Sequence, residues 1–256
     1  MDEHIQEDWE ITEEDEAYFS RLVSAAAEMK VADYLARHPQ PLKDTNQLLA
    51  QFQQEIKAES FYTFDEIVAG YNALAEGLPK VLGGLDDDES MRVRREYERW
   101  LEFMESISPS GEFLDTVLQS GKTLQEAFFI SNETMSYFYQ VGRHFLQEDN
   151  YEKAGALFFL LTHLNGGVYE FWLGLAIAFQ ERGDFEHAVS AYKKSKHIRD
   201  NDPIVELFLA DCFLDLKIPT EAEEHLHLAK EKMKNQEYAF LKPKVKQISK
   251  KLKTFS

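Results

Sequence analysis

A single cysteine, Cys212, stands among 256 residues. An intramolecular disulfide is therefore excluded, and a reducing compartment is the natural setting. Lys and Arg are missing from the first sixteen residues, MDEHIQEDWEITEEDE, so no secretory leader is expected there. No run of eighteen apolar residues occurs, so no membrane span or stable membrane insertion is expected. Basic residues are in deficit: 28 Lys+Arg stand against 46 Asp+Glu, a net charge of −18. Nearly all of that imbalance precedes residue 131, where 28 acids meet 11 bases. Nucleic acid is thereby excluded as a main partner, since phosphate binding needs a basic face. The one basic stretch, Lys230 to Lys253, holds nine lysines and reads as a solvated helix face or as a contact for acidic groups.

The motifs of catalysis and of metal or nucleotide binding are also missing. His225 and His227 are two apart, on different sides of a helix, and no His-x₃-His pair occurs. With Cys212 alone, a zinc site has no ligand set. Cys212 reads as core packing rather than as a nucleophile. SGKT, Ser120 to Thr123, lacks the upstream glycine and the apolar strand of a phosphate loop. No catalytic residue, metal or cofactor is expected, and the chain is not read as an enzyme.

What is present is helix. β-branched runs are scarce, and sparse Gly and Pro act as punctuation. Residues 14–37 form one candidate, stopped by HPQP. A second follows a cap at Asp44 or Thr45, with Leu48, Leu49, Phe52 and Ile56 at helical spacing. A third covers about Phe64 to Leu78, ahead of Pro79, and a fourth about Met91 to Ile107. Residues 1–120 thus read as an acidic tail, too charged to bury much surface, plus a small helical bundle.

The rest of the chain repeats. Ala154, Ala188 and Ala222 are separated by 34 and 34 residues. With these alanines at position 20 of a 34-residue unit, position 7 is Val141, Leu175 and Leu209. Position 8 is Gly142, Ala176 and Ala210. Position 11 is Phe145, Phe179 and Phe213, and position 24 is Phe158, Tyr192 and Leu226. Small residues recur where two helices approach closely, and large ones where a gap is filled. This is the tetratricopeptide pattern, a helix–turn–helix unit that buries its faces against the next. The expected fold is all-α: a three-unit array over residues 121–256, with units of about 135–168, 169–202 and 203–236. Gly183–Asp184 ends a first helix, and Asp202–Pro203 and Pro219 begin helices. A C-terminal helix with Phe240, Val245, Ile248 and Leu252 as its buried stripe caps the array.

First helices line the concave side of such an array, and positions 2, 5, 9 and 12 face the groove. They are Ser136, Tyr139, Arg143 and Leu146; Glu170, Leu173, Ile177 and Gln180; Ile204, Leu207, Asp211 and Leu214. An apolar stripe here implies a ligand that covers it; packing against the N-terminal region or the C-terminal helix is the other reading. Grooves that grip a chain-terminal carboxylate use Lys and Asn, and that set is absent. An extended peptide with hydrophobic anchors, between polar contacts from Arg143, Gln180 and Asp211, fits the residues.

The stretches GKTLQEAFFISNETMSYFYQVGRHFLQEDNYEKAGALF, YEFWLGLAIAFQERGDFEHAVSAY and FLADCFLDLKIPTEAEEHLHLAKE go beyond a generic repeat. Over about residues 121–235 the chain resembles the class II chaperones of type III secretion, the SycD/LcrH-like proteins. The resemblance implies a protein of the bacterial cytoplasm that holds hydrophobic translocator-type secreted proteins before export. It implies a groove that grips a short Pro/Leu-containing motif, with Tyr139, Leu146, Leu173, Ile177 and Leu207 at the corresponding positions. It also implies a homodimer through the N-terminal region. Arg143 stands where relatives can carry an aromatic residue, and residues 1–120 have no counterpart in the compact members. A reading from another class stays open: an adaptor that joins folded components of a secretion or regulatory assembly through separate N- and C-terminal modules.

Overall fold

The computed structural model describes residues 44–106, 117, 120–233 and 236–255. Among them every regular element is helical. They are α1 (Thr45–Leu82), α2 (Asp87–Ser106), α3 (Leu124–Ala127), α4 (Asn132–Gln147), α5 (Tyr151–Leu164), α6 (Tyr169–Glu181), α7 (Phe185–Ile198), α8 (Pro203–Asp215), α9 (Pro219–Lys232), a 3₁₀ turn (Gln236–Leu241) and α10 (Lys242–Leu252). The helix expected over 14–37 lies outside the described residues.

The three repeats are the pairs α4–α5, α6–α7 and α8–α9. Every residue of the five repeating columns is buried, and Ala154, Ala188 and Ala222 are each 0% exposed. Phe158 shows why the small positions are small. Its ring lies where a Cβ on Gly142 would come within 2.8 Å and one on Gly174 within 2.5 Å. One aromatic ring of α5 is thus gripped between the backbones of α4 and α6.

The turns repeat with the same period. Asp149, Gly183 and Lys217 close the first helix of each unit, at φ of 55°, 80° and 61°. In each, two backbone N–H groups reach back to the helix's last turn, as with Asp184 N to Phe179 O at 2.9 Å and Gly183 N to Gln180 O at 3.0 Å. This is the left-handed C-terminal stop that glycine enters at least cost. Asn150 and Asp184 then cap the second helices of the first two units by accepting from Lys153 N and His187 N. In the third, Pro219 at the first turn takes the place of a side-chain cap.

Two compact bodies make up the chain. The larger comprises Glu66–Leu101 with Thr123–Ser256; the smaller comprises Met1–Asp65 with Glu102–Lys122. One division falls between Lys122 and Thr123, and the larger body also takes in residues 66–101. Residues 66–101, assigned from sequence to the N-terminal region, are a helical hairpin packed on the first repeat. Trp100 is 1% exposed and stacks on Phe138 with ring centroids 5.9 Å apart. Gly70 and Gly77 let α1 approach closely: a Cβ on Gly70 would meet the Ala156 carbonyl oxygen at 2.6 Å, and one on Gly77 the Val141 side chain at 2.3 Å. Glu96 accepts from Ser131 N at 2.9 Å. The pairs Arg92–Glu133, Glu89–Tyr137 and Lys153–Glu76 surround the contact.

Two helix expectations change. The second and third candidates are one helix, because nothing between Ile56 and Phe64 breaks the periodicity. Pro79 lies inside that helix, near its end. There it forfeits one backbone bond, and Gly83 N still bonds Pro79 O at 3.0 Å.

Candidate peptide-binding face

The first helices α4, α6 and α8 each carry residues at i, i+4 and i+7, and these triplets lie on one helix face. In α4 they are Tyr139, Arg143 and Leu146. Tyr139 is half-buried, edge-on to Phe158 at 5.9 Å and tilted against Phe171 at 6.1 Å. Burial raises the pKa of its phenol, and the Arg143 charge opposes that rise. Arg143 is exposed, and its guanidinium lies 6.0 Å from the Tyr139 ring centroid. Leu146 is half-buried, as are Leu173 and Ile177 of α6. These five residues sit on adjacent first helices of the larger body.

The other predicted groove residues are placed differently. Gln180 is half-buried, but its side-chain oxygen accepts from the Tyr192 hydroxyl at 2.7 Å. That oxygen buttresses α7. Leu207 and Leu214 are each 1% exposed and Asp211 is 7% exposed. The stripe in the third unit is therefore closed. Its cover includes α10, which packs on α8 and α9. Lys244 reaches Asp211 at 2.6 Å, and Lys251 bridges Asp211 at 3.1 Å and Asp215 at 2.8 Å. Burial would raise the Asp211 pKa, but the two lysines outweigh it and hold the carboxyl below its ordinary value. Lys251 is correspondingly raised. The basic tail noted in the sequence is thus in part the counter-charge of α8. Within α10, Ile248 is the buried anchor at 0% exposed, whereas Phe240, expected in the stripe, is 66% exposed in the preceding turn.

Ser136 is exposed, and Glu170 and Ile204 are half-buried. Glu170 is paired with Arg199 at 2.8 Å. Arg199 in turn lies 4.0 Å from the Tyr169 ring centroid. The periodicity did not single out Glu206, a carboxylate 0% exposed in α8. It is held by His225 at 2.6 Å, Lys232 at 2.7 Å and Lys196 at 2.9 Å. Burial pushes its pKa up, and the three hydrogen bonds more than reverse this, to about 2. The network ties α7, α8 and α9 together, so His225 is a structural residue. Cys212 is fully buried, and burial followed by the Asp211 charge pushes its thiol up to about 12, which leaves it unreactive. Among the described residues no group of His, Cys, Asp and Glu is arranged to hold a metal, and no helix is long and apolar enough to cross a membrane.

No protein-family profile matches the chain. Low calcium response locus protein H of Yersinia pseudotuberculosis is 27% identical over 136 residues, which is 53% of this chain and 77% of that protein. A type III secretion complex from Aeromonas hydrophila contains a chain 25% identical, with a TM-score of 0.51 over 55% of this chain and 95% of its own length. The chain resembles the class II chaperones of type III secretion. The likeness extends to the Yersinia enterocolitica type III secretion chaperone SycD, solved with a peptide of the translocator YopD. That chain is 28% identical, with a TM-score of 0.46 over 49% of this chain and 96% of its own.

Proposed function

We propose that the array is a type III secretion chaperone of the bacterial cytoplasm. It binds an extended hydrophobic segment of a translocator-type secreted protein and keeps that protein soluble and export-competent. The observation that carries this reading is the stripe of Tyr139, Leu146, Leu173 and Ile177, half-exposed on adjacent first helices, in an array related to chaperones of translocators. An apolar stripe at the surface of a folded unit is a place for a partner. The groove used is that of units one and two, because Leu207, Asp211 and Leu214 are covered. The chain acts by binding and performs no chemistry on its client. Self-association through the N-terminal region belongs to the same reading.

The experiment is co-expression of the full chain with translocator-type secreted proteins of its host, followed by co-purification. Tyr139→Ala with Leu173→Asp should abolish capture and leave the circular dichroism of the chaperone unchanged. Capture that survives both changes in a folded protein would remove the groove from the mechanism. The adaptor reading draws on the smaller body, Met1–Asp65 with Glu102–Lys122. It takes over if the full chain captures only folded components of a secretion assembly.

A further inference from the structure

The polar groups along the stripe are nearly all consumed within the chain. The Gln180 side-chain oxygen is taken by Tyr192, Glu170 by Arg199, and Asp211 by Lys244 and Lys251. Ser136 donates to the Glu133 carbonyl oxygen at 2.7 Å. Arg143 differs. It is exposed and, among the described residues, forms no ion pair or hydrogen bond; its guanidinium lies over the Tyr139 ring, 6.0 Å from the centroid. That contact holds the guanidinium beside the apolar stripe and leaves its N–H donors unused. The charge surplus of the chain does not oppose an acidic ligand here, because residues 131–256 hold 18 acids and 17 bases.

Resting on the groove reading above, we propose that Arg143 selects the client: the bound segment carries an Asp or Glu side chain, between its hydrophobic anchors, that pairs with this guanidinium. A planar guanidinium matches a carboxylate through two parallel N–H···O bonds and is more weakly hydrated than an ammonium. Flanking apolar contacts exclude water and strengthen the pair. A side-chain carboxylate is favoured over a chain terminus because a terminus is held by several converging donors, and the neighbouring positions, Tyr139, Leu146, Leu173 and Ile177, supply no second cation. The anchors give affinity, and the carboxylate fixes register and direction along the groove.

The test uses synthetic peptides of about ten residues, the length of an extended groove ligand. Each carries two leucine anchors at varied spacing, a central Glu, Gln or Lys, and an amidated C-terminus. Binding to the full chain is followed by fluorescence anisotropy with a neutral dye. Glu peptides should bind about ten-fold more tightly than Gln peptides, the scale of one charge-assisted hydrogen bond, and Lys peptides more weakly still. Added salt should narrow the gap. Arg143→Glu should invert the order in favour of Lys, and Arg143→Gln should erase it, both with unchanged circular dichroism. Equal binding of Glu and Gln peptides, or an order that survives Arg143→Glu, overturns the proposal and leaves the groove in place. A gain confined to free C-termini also overturns it, in favour of a terminal carboxylate. Failure of every peptide to bind overturns the groove reading together with this one.

Discussion

Ala188 sits at 0% exposure where α7 meets its partner helix. Ala188→Leu forces three extra carbons into that contact and should cost about 1–3 kcal/mol in a denaturant titration. Wild-type stability in this variant would refute the repeat register. Glu206 presents the opposite case, a buried charge that is stable because Lys196, Lys232 and the His225 ring all hydrogen-bond to it. Glu206→Gln leaves the two lysines without their counter-charge and should cost about 3 kcal/mol near neutral pH, the low end for breaking a buried ion pair. The linkage has a definite sign. A carboxyl lowered from 4.5 to about 2 contributes stability above about pH 4.5 and loses it as pH falls toward about 2. The gap between wild type and Glu206→Gln should therefore narrow across that window. A gap that stays constant down to about pH 2 would mean that Glu206 is not ionised in the fold.

At the scale of elements, the hairpin of residues 66–101 acts as an additional layer on the first repeat. Trp100 is its largest anchor, packed among Tyr71, Tyr97, Phe128 and Phe138. Trp100→Ala should destabilise the larger body by about 3–5 kcal/mol, as for other fully buried aromatics. Loss of less than about 1 kcal/mol would show that the hairpin is not part of that body. The repeats themselves were legible because each column is a local demand. Position 8 must be small beside a crossing helix, and position 24 must fill the space so made. Spacing alone gives no reason to join the segment through Ile56 to the one from Phe64, and Pro79 reads as the stop of the latter; the structure runs one helix through both. A proline in the last turn forfeits little, since the bonds it would disrupt are near the helix end. Phe240 was placed in the capping stripe on spacing alone, and the 3₁₀ turn puts it outside.

For the whole molecule, the placement of residues 66–101 sets what a truncation does. A chain of residues 121–256 loses the hairpin and exposes Phe138 and Val141, each 0% exposed in the intact protein. It should melt below the full chain and bind hydrophobic dyes more strongly. Equal melting temperatures would mean that the array is self-sufficient. The acids are concentrated before residue 131, and part of the basic charge of the tail is balanced by the carboxylates of α8.

The sequence by itself determined the helical class, the 34-residue period, the caps and the five buried columns. It could do so because each depends on neighbours a few residues away or on the next copy of the same unit. Its spacing also puts Tyr139, Arg143 and Leu146, and likewise Leu173 and Ile177, on one face of their helices. Only the tertiary structure decided which predicted groove residues stay open. Leu207, Asp211 and Leu214 have the same spacing as their counterparts. The ion pairs that bring α10 over them link residues 33 and 40 positions apart, in a segment outside the repeat. Periodicity tells which way a side chain points; it does not tell what comes to lie on top of it.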